Sequence, residues 1–277
     1  MTKFQPIIKW TGSKRALSDE IISYFPNEIE TYYEPFCGGA SILRALLESG
    51  IKCKEYVCSD LNDSLIELWR VIMIDPYMVC HEYDRMWCEM NSSDNEADKR
   101  TYYEAVRERF NKEKNPCDFM FLNRTCFNGL IRYNSDGVFN TSFHLNRKGI
   151  EPHKLTSIIM EWSDLLKKNN VKFLCCDHKS IQPRKGDLVF CDPPYADTGT
   201  MYYGGFDNQA MFEWLKGLEC SWMLTYDGIS GKTDNTYNVP IELYDKHVYI
   251  KSGNSSFKRI KEVSKDSFVY ESLYIKN

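Results

Sequence analysis

The apolar run Leu188-Val189-Phe190 reaches Asp192 and then meets two prolines and a tyrosine, Pro193, Pro194 and Tyr195. An acid, a stretch with almost no backbone freedom and an aromatic ring would make a rigid mouth at the end of a strand. Three more acids stand near the ends of apolar segments: Glu34, Asp60 and Asp177. In open α/β sheets, ligands sit beyond the carboxyl ends of the strands, where all four acids would point. Taken singly, each acid reads equally well as a helix cap or a solvated loop residue. Together, with a glycine turn after the first strand, they read as a site.

Gly38-Gly39 lets the backbone approach a ligand where a Cβ would clash. The turn is not GxGxxG, and Gly12-Ser13-Lys14 lacks the earlier glycine of a Walker A motif, so a dinucleotide or a triphosphate fits poorly. Asp60 lies about 20 residues past the glycine turn, where an acid commonly accepts hydrogen bonds from ribose hydroxyls. A ligand with a ribose but no phosphates suits this combination.

The elements that must position these residues follow from periodicity. Residues 1–15 read as a loop turning at Thr11-Gly12-Ser13, and a helical pattern from Leu17 to Phe25 stops at Pro26. A short strand through "TYYE", a glycine turn, a helix from about Ala40 to Glu48 and a second strand ending in Asp60 come next, then a helix from Ser64 to about Ile74. Strand, glycine loop, helix, strand and acid are the grammar of a doubly wound nucleotide-binding sheet. From Asp75 to about Lys154 that rhythm is lost: charged helical segments lead into "FMFLNRTCFNGLIRYNSDGVFNTSFHLNRKG". The rhythm resumes with a helix at 155–168, a strand "VKFLCC" ending in Asp177, the strand before Asp192 and a helix near 208–218. "SWMLTYDG" and strands around 242–250 and 267–275 close the sheet. The expected domains are 1–75 with 155–277, and an inserted, mainly helical domain at 76–154.

Composition narrows the class. Of 277 residues, 43% are apolar and 27% charged, as in globular proteins. No run approaches the ~18 apolar residues of a membrane span, and the first residues lack a signal-peptide core. Eleven scattered cysteines without a CxxC pair fit reduced thiols rather than a disulfide frame or a zinc site, so the expected location is cytoplasmic. A net charge of −4 argues against indiscriminate coating of nucleic acid but leaves room for a local basic cleft.

"PIIKWTGSKR", "YYEPFCGGAS", "CSDLN" and "FCDPPY", in that order, resemble the motifs of Dam-type (alpha-group) DNA adenine-N6 methyltransferases. The resemblance spans most of the chain and departs from the pattern at Thr11-Gly12-Ser13, where Ala-Gly-Gly is common, and at Ala40-Ser41, where a further glycine is common. It implies an α/β fold: a Rossmann-like S-adenosylmethionine-dependent methyltransferase sheet with an inserted target-recognition domain carrying a β-hairpin. S-adenosylmethionine is a ribose-bearing ligand without phosphates, and no metal is implied. The resemblance puts Trp10, Lys14, Glu34, Phe36, Gly38, Asp60, Asp177 and Asp192 at the methyl donor. At the catalytic end, the Asp192 carboxylate and Pro193 carbonyl would accept the N–H bonds of adenine's amine, favouring a pyramidal nitrogen whose lone pair faces the methyl group. Tyr195 would stack on the extruded base.

"LNRTCFNGLIRYNSDGVFN" resembles the recognition hairpin of the same family. The resemblance implies DNA contacts from Arg124, Phe127, Asn128, Leu130, Arg132, Tyr133 and Asn134, with Asn128-Gly129 and Asp136-Gly137 as turn pairs. Arg132 would read a guanine bidentately and Phe127 would wedge into the base stack. A second basic segment, with Lys251, Ser255, Lys258 and Arg259, resembles a phosphate-contacting loop. The same residues also read as a hydrophobic hairpin with solvated arginines, and as a solvated loop. The expected function is methylation of adenine N6 in duplex DNA at GATC or another GA-containing palindrome, by a monomer, with a cognate restriction endonuclease as a conceivable partner. Methylation of cytosine N4 or of an RNA base, and a non-catalytic DNA-binding module, are the rival readings.

Overall fold

The computed structural model describes residues 4–144, 148–194, 206–252 and 268–277. Strands among them are β1 (Glu28–Glu34), β2 (Lys52–Asp60), β3 (Lys172–Cys175), β4 (Leu188–Cys191), β5 (Ser221–Ser230), β6 (Thr233–Asp234), β7 (Lys246–Ser252) and β8 (Val269–Lys276). Helices are α1 (Ser18–Ile22), α2 (Ser41–Ser49), α3 (Asp63–Ile74), α4 (Pro76–Met90), α5 (Glu96–Glu113), α6 (Pro116–Thr125), α7 (Pro152–Lys168) and α8 (Asn208–Lys216). By packing, the chain forms two compact units.

The first unit, Lys14–Ser59 with the described residues from Cys176 onward, is built on a sheet ordered β2-β1-β4-β5-β8-β7, with β6 beside β5. Strands β2, β1, β4 and β5 run parallel, while β8 and β7 are antiparallel. All four residues of β4 are buried, as a central parallel strand covered on both faces requires. The chain passes outward from β1 to β2 and later returns to the other side of β1 as β4. That reversal opens a crevice at the carboxyl ends of β1 and β4, where Glu34 and Asp192 sit.

The turn after β1 puts Gly38 at φ 43° and Ala40 at φ 51°, both left-handed. Such a backbone favours glycine, so Ala40 carries a steric cost where the Dam-type pattern has another glycine. Ala40 caps α2 without a side-chain hydrogen bond; instead the Glu34 carboxylate accepts from the Leu43 N–H at 2.9 Å. Gly50, at φ 81°, ends α2 as its position predicts.

The second unit comprises the residues up to Ser13 and Asp60–Cys175. Its helix starts are written in the sequence. Proline stands at the first turn of α4, α6 and α7, and Asp75 and Asn115 accept backbone N–H bonds there as caps. The expected joints at 75/76 and 154/155 are not where packing divides. Trp69 of α3 lies against Trp162 of α7 and stacks on Phe173 of β3, so these flanking elements belong to the helical unit. A second aromatic group, Phe110, Phe119, Phe139 and Tyr133, holds the segment after α6 against α5.

Two boundaries move for local reasons. The 155–168 helix begins at Pro152, because Glu151 and Pro152 form its start. The strand expected from 242 begins at Lys246, since Ile241–Leu243 forms a 3-10 turn.

Candidate active site

At the crevice of the sheet unit, parallel pairing sets the distances. Cys191 lies opposite Leu224, so the next residues, Asp192 and Thr225, fall side by side. Thr225, buried on β5, donates its hydroxyl to Asp192 Oδ1 at 2.7 Å. The Lys14 ammonium reaches the same oxygen at 2.8 Å and Glu271 Oε2 at 3.4 Å. Lys14 is only 3% exposed, while Asp192 and Glu271 keep about a fifth of their surface (19% and 20%). The catalytic acid of the sequence pattern is thus a carboxylate fixed by a buried cation and a hydroxyl. Lys14, expected at the methyl donor, is directed onto that acid.

Glu34 ends β1 next to this group. Its Oε2 accepts from the Tyr32 hydroxyl at 2.8 Å and from Leu43 N–H. Burial nevertheless pushes its carboxyl up to about 8, and the Asp192 charge adds to the rise. Burial also raises Glu271, opposed by Lys14. Cys191, fully buried on β4, has its thiol pushed far up by burial, which suits a core residue and not a nucleophile.

Phe36 and Asp177 meet through a residue that the motifs did not single out. His178, 5% exposed, lies 5.3 Å from the Phe36 ring, packs edge-on to Trp214 and touches Phe206. Asp177 is not a strand end: β3 stops at Cys175, and Asp177 caps the 3-10 turn at His178–Ser180 by accepting from Lys179 N–H. Its carboxylate lies 3.3 Å from His178 Nδ1, while His178 Nε2 is buried without a partner among the described residues. Burial lowers the imidazole below its ordinary value, so at neutral pH it is an uncharged ring with an unmet polar edge. A cluster of aromatic rings around one nitrogen that is unmet among the described residues suits the edge of a flat heteroaromatic ligand. Phe-His spacing gave no signal for this, because a histidine after an acid reads as an ordinary loop residue.

In the helical unit, Asp60 caps the turn after β2 by accepting from Asn62 N–H at 3.0 Å, and Trp10 closes the Thr11-Gly12 turn through its carbonyl, which accepts from Ser13 N–H. The hairpin is minimal: two isolated antiparallel bridges, Cys126 with Phe143 and Tyr133 with Phe139, rather than continuous strands. Asn134 Oδ1 accepts from Asp136 and Val138 N–H and so shapes its tip, beside Gly137 at φ 73°. Asn128 and Gly129 are both left-handed, at φ 56° and 70°. A Cβ at Gly129 would come within 2.5 Å of the Lys9 side chain, which places that unassigned lysine beside the turn.

Between these features the chain presents Phe127, 51% exposed and stacked on His144. Arg132 is also exposed. Its Nε donates to Asn140 Oδ1 at 2.7 Å and one amino group donates to Asn140 O. Asn128 is exposed, and Leu130 and Tyr133 are half-buried, with the Tyr133 hydroxyl 3.4 Å from the Asn62 amide.

Arg124 is a correction. It lies within α6, 6% exposed, and its guanidinium donates to the Pro6 carbonyl. Burial lowers it to about 10. The preceding Asn123, fully buried, exchanges hydrogen bonds with both the N–H and the carbonyl of Lys9, at 2.8 and 2.7 Å. "LNR" therefore anchors the N-terminal segment and does not face DNA. In the second basic segment Lys251 lies over the Phe268 ring at 3.6 Å; Tyr195, Ser255, Lys258 and Arg259 lie outside the described residues.

The pattern that defines the D12 class N6 adenine-specific DNA methyltransferases matches residues 10–218. Over 207 residues, 69% of this chain, the sequence is 36% identical to the Type II methyltransferase M.MjaIII of Methanocaldococcus jannaschii. It is 33% identical to a DNA adenine methylase of Haemophilus influenzae and 32% identical to one of Escherichia coli, each over 202 residues and about 70% of this chain (70% and 71%). The matched region spans 69%, 65% and 66% of these three relatives, about two thirds of each.

Proposed function

We propose that this chain, which belongs to the D12 class of N6 adenine-specific DNA methyltransferases, moves a methyl group from S-adenosylmethionine to the N6 amine of adenine in duplex DNA by direct displacement. The observation that carries the chemistry is Asp192, held at the end of β4 by Lys14 and Thr225. Adenine's amine is a poor nucleophile because its lone pair is delocalised into the ring. Acceptance of its N–H bonds by the Asp192 carboxylate and the Pro193 carbonyl favours the pyramidal nitrogen that can attack. Proline at 193 and 194 limits the backbone there, so the acceptors are oriented before the base arrives. Tyr195 stacks on the base once it has left the duplex.

The methyl donor fits the residues present: the unpartnered His178 Nε2 beside Phe36 suits the edge of a purine. Phe36, Gly38, Asp177 and His178 of the sheet unit hold it, and Glu34 braces the turn behind Gly38 through Leu43. When bound, S-adenosylmethionine supplies a methyl group on a cationic sulfur that departs as a neutral thioether.

Target reading falls to Arg132, at the guanine before the adenine, with Phe127 filling the gap left in the stack and Asn128, Leu130, Tyr133 and Asn134 around them. Lys251, Ser255, Lys258 and Arg259 add phosphate contacts, whose strength falls steeply with salt. GATC, or another GA-containing palindrome, is the proposed target, read by a monomer; a restriction endonuclease partner would fit the same activity. Labelled donor supplied with duplex DNA and, separately, RNA, followed by mass spectrometry of the nucleosides, tests the proposal. N6-methyladenine in duplex DNA is expected, and N4-methylcytosine or methylated RNA would overturn it.

A further inference from the structure

Glu271 lies on β8, outside every motif of the sequence, yet the sheet delivers it to the catalytic acid. Antiparallel pairing sets Leu273 opposite Thr225 and Glu271 opposite Asp227, so Glu271 shares a face of the sheet with the threonine that bonds Asp192. The pairing is irregular between Asp227 and Ser230. There Gly228 backs onto β8 so closely that a Cβ would lie 2.5 Å from the Tyr270 carbonyl oxygen. This approach fixes the backbone on either side of Glu271. Lys14 then bridges the two acids, 2.8 Å from Asp192 and 3.4 Å from Glu271.

We propose that Glu271 is a positioning residue for methyl transfer: it shares the Lys14 ammonium with Asp192, so that the lysine orients the carboxylate without neutralising it. The inference rests on the reading of Asp192 as the acceptor of the adenine amine. A lysine facing a single acid forms a neutral pair, and that acid is then a weaker acceptor for a third group. Two carboxylates around one ammonium leave the group with a net negative charge. Methyl transfer places positive charge on the amine nitrogen as its bond to carbon forms. A fixed negative site next to it stabilises that charge without reorganisation. Among the described residues, Asp227 across the strand pair also bears on Glu271 and adds to the negative field, while Glu34, raised to about 8 by burial, is largely protonated at neutral pH and adds none.

Glu271→Gln keeps the shape and removes the charge. In single-turnover assays with duplex DNA and labelled S-adenosylmethionine, the rate should fall between about 10- and 100-fold. Duplex and donor dissociation constants should stay at parental values. Burial raises the Glu271 carboxyl, so the parental rate should decline at falling pH as Glu271 takes up a proton, and the Glu271→Gln profile should lack that decline. In a Lys14→Met background the Glu271→Gln change should cost less than in the parent, because the shared cation is already gone and only the direct field of Glu271 is lost. A parental rate and profile, or a full further loss in the Lys14→Met background, would overturn the proposal. Melting temperatures for each variant separate a folding defect from this effect, and Glu271→Asp should recover part of the rate. If the parent makes no N6-methyladenine, the reading of the active site fails; if it does and Glu271→Gln matches it, only the role of Glu271 fails.

Discussion

The Lys14 ammonium and the Asp192 carboxylate lie 2.8 Å apart although they are 178 positions apart in sequence (192 − 14). The lysine follows the Trp10 turn and the acid ends the fourth strand, so two motifs of the D12 class converge on one ion pair. Lys14 is buried, and removing it leaves two acids without their cation. Lys14→Met should therefore reduce both turnover and melting temperature. Burial raises the Glu271 carboxyl and Lys14 opposes that rise, so without the lysine Glu271 is harder to ionise in the native state and the stability deficit should shrink as the pH is lowered. Thermal melts between about pH 5 and pH 8 check this, and a deficit that does not change with pH would count against the pairing.

Glu34 gives a pH dependence of its own. Its carboxyl is raised from 4.5 to about 8 in the fold by burial, whereas the unfolded chain titrates near 4.5. The native state thus holds a proton that the unfolded state releases, and the stability it contributes is complete below about 4.5 and lost as pH rises through about 8. Melting temperature should drop across that window more steeply in the parent than in Glu34→Gln. Equal slopes would place the titration elsewhere.

Arg132 and Arg124 should separate cleanly. Arg132→Ala should relax discrimination at the guanine by ~1–3 kcal/mol and leave the melting temperature near parental. Arg124→Met removes a buried donor from the Pro6 carbonyl, so it should cost ~1–3 kcal/mol of stability and leave the salt dependence of DNA binding unchanged. Binding isotherms on matched and mismatched duplexes, beside thermal melts, read both effects. A sequence preference unchanged in Arg132→Ala would remove that residue from the readout.

Asn140 grips Arg132 through two hydrogen bonds and was not visible as a specificity residue. Asn140→Ala frees the guanidinium to move, and should weaken discrimination at the same base by less than Arg132→Ala does. A double-mutant cycle would show the coupling, and fully additive losses would contradict it.

Glu34, Asp60 and Asp192 were legible at strand ends, though Asp177 was not one, because a turn glycine, a rigid proline pair and acids at strand carboxyl termini are local signals. Asp192 and Asp60 needed only their neighbours to be found. Glu271 and Thr225 did not announce themselves, since their roles come from register: Thr225 beside Asp192, and Glu271 opposite Asp227. Arg124 misled for the opposite reason. A basic residue beside aromatics reads as a DNA contact, but it sits on a helix buried from Cys117 onward whose polar groups anchor Pro6 and Lys9. His178 was hidden because a buried histidine shows itself only through the rings that enclose it.

Asp192→Ala, mixed with duplex DNA and labelled S-adenosylmethionine under single-turnover conditions, should transfer no methyl group within the parental time course while binding the duplex with parental affinity. Methylation at the parental rate would contradict the mechanism.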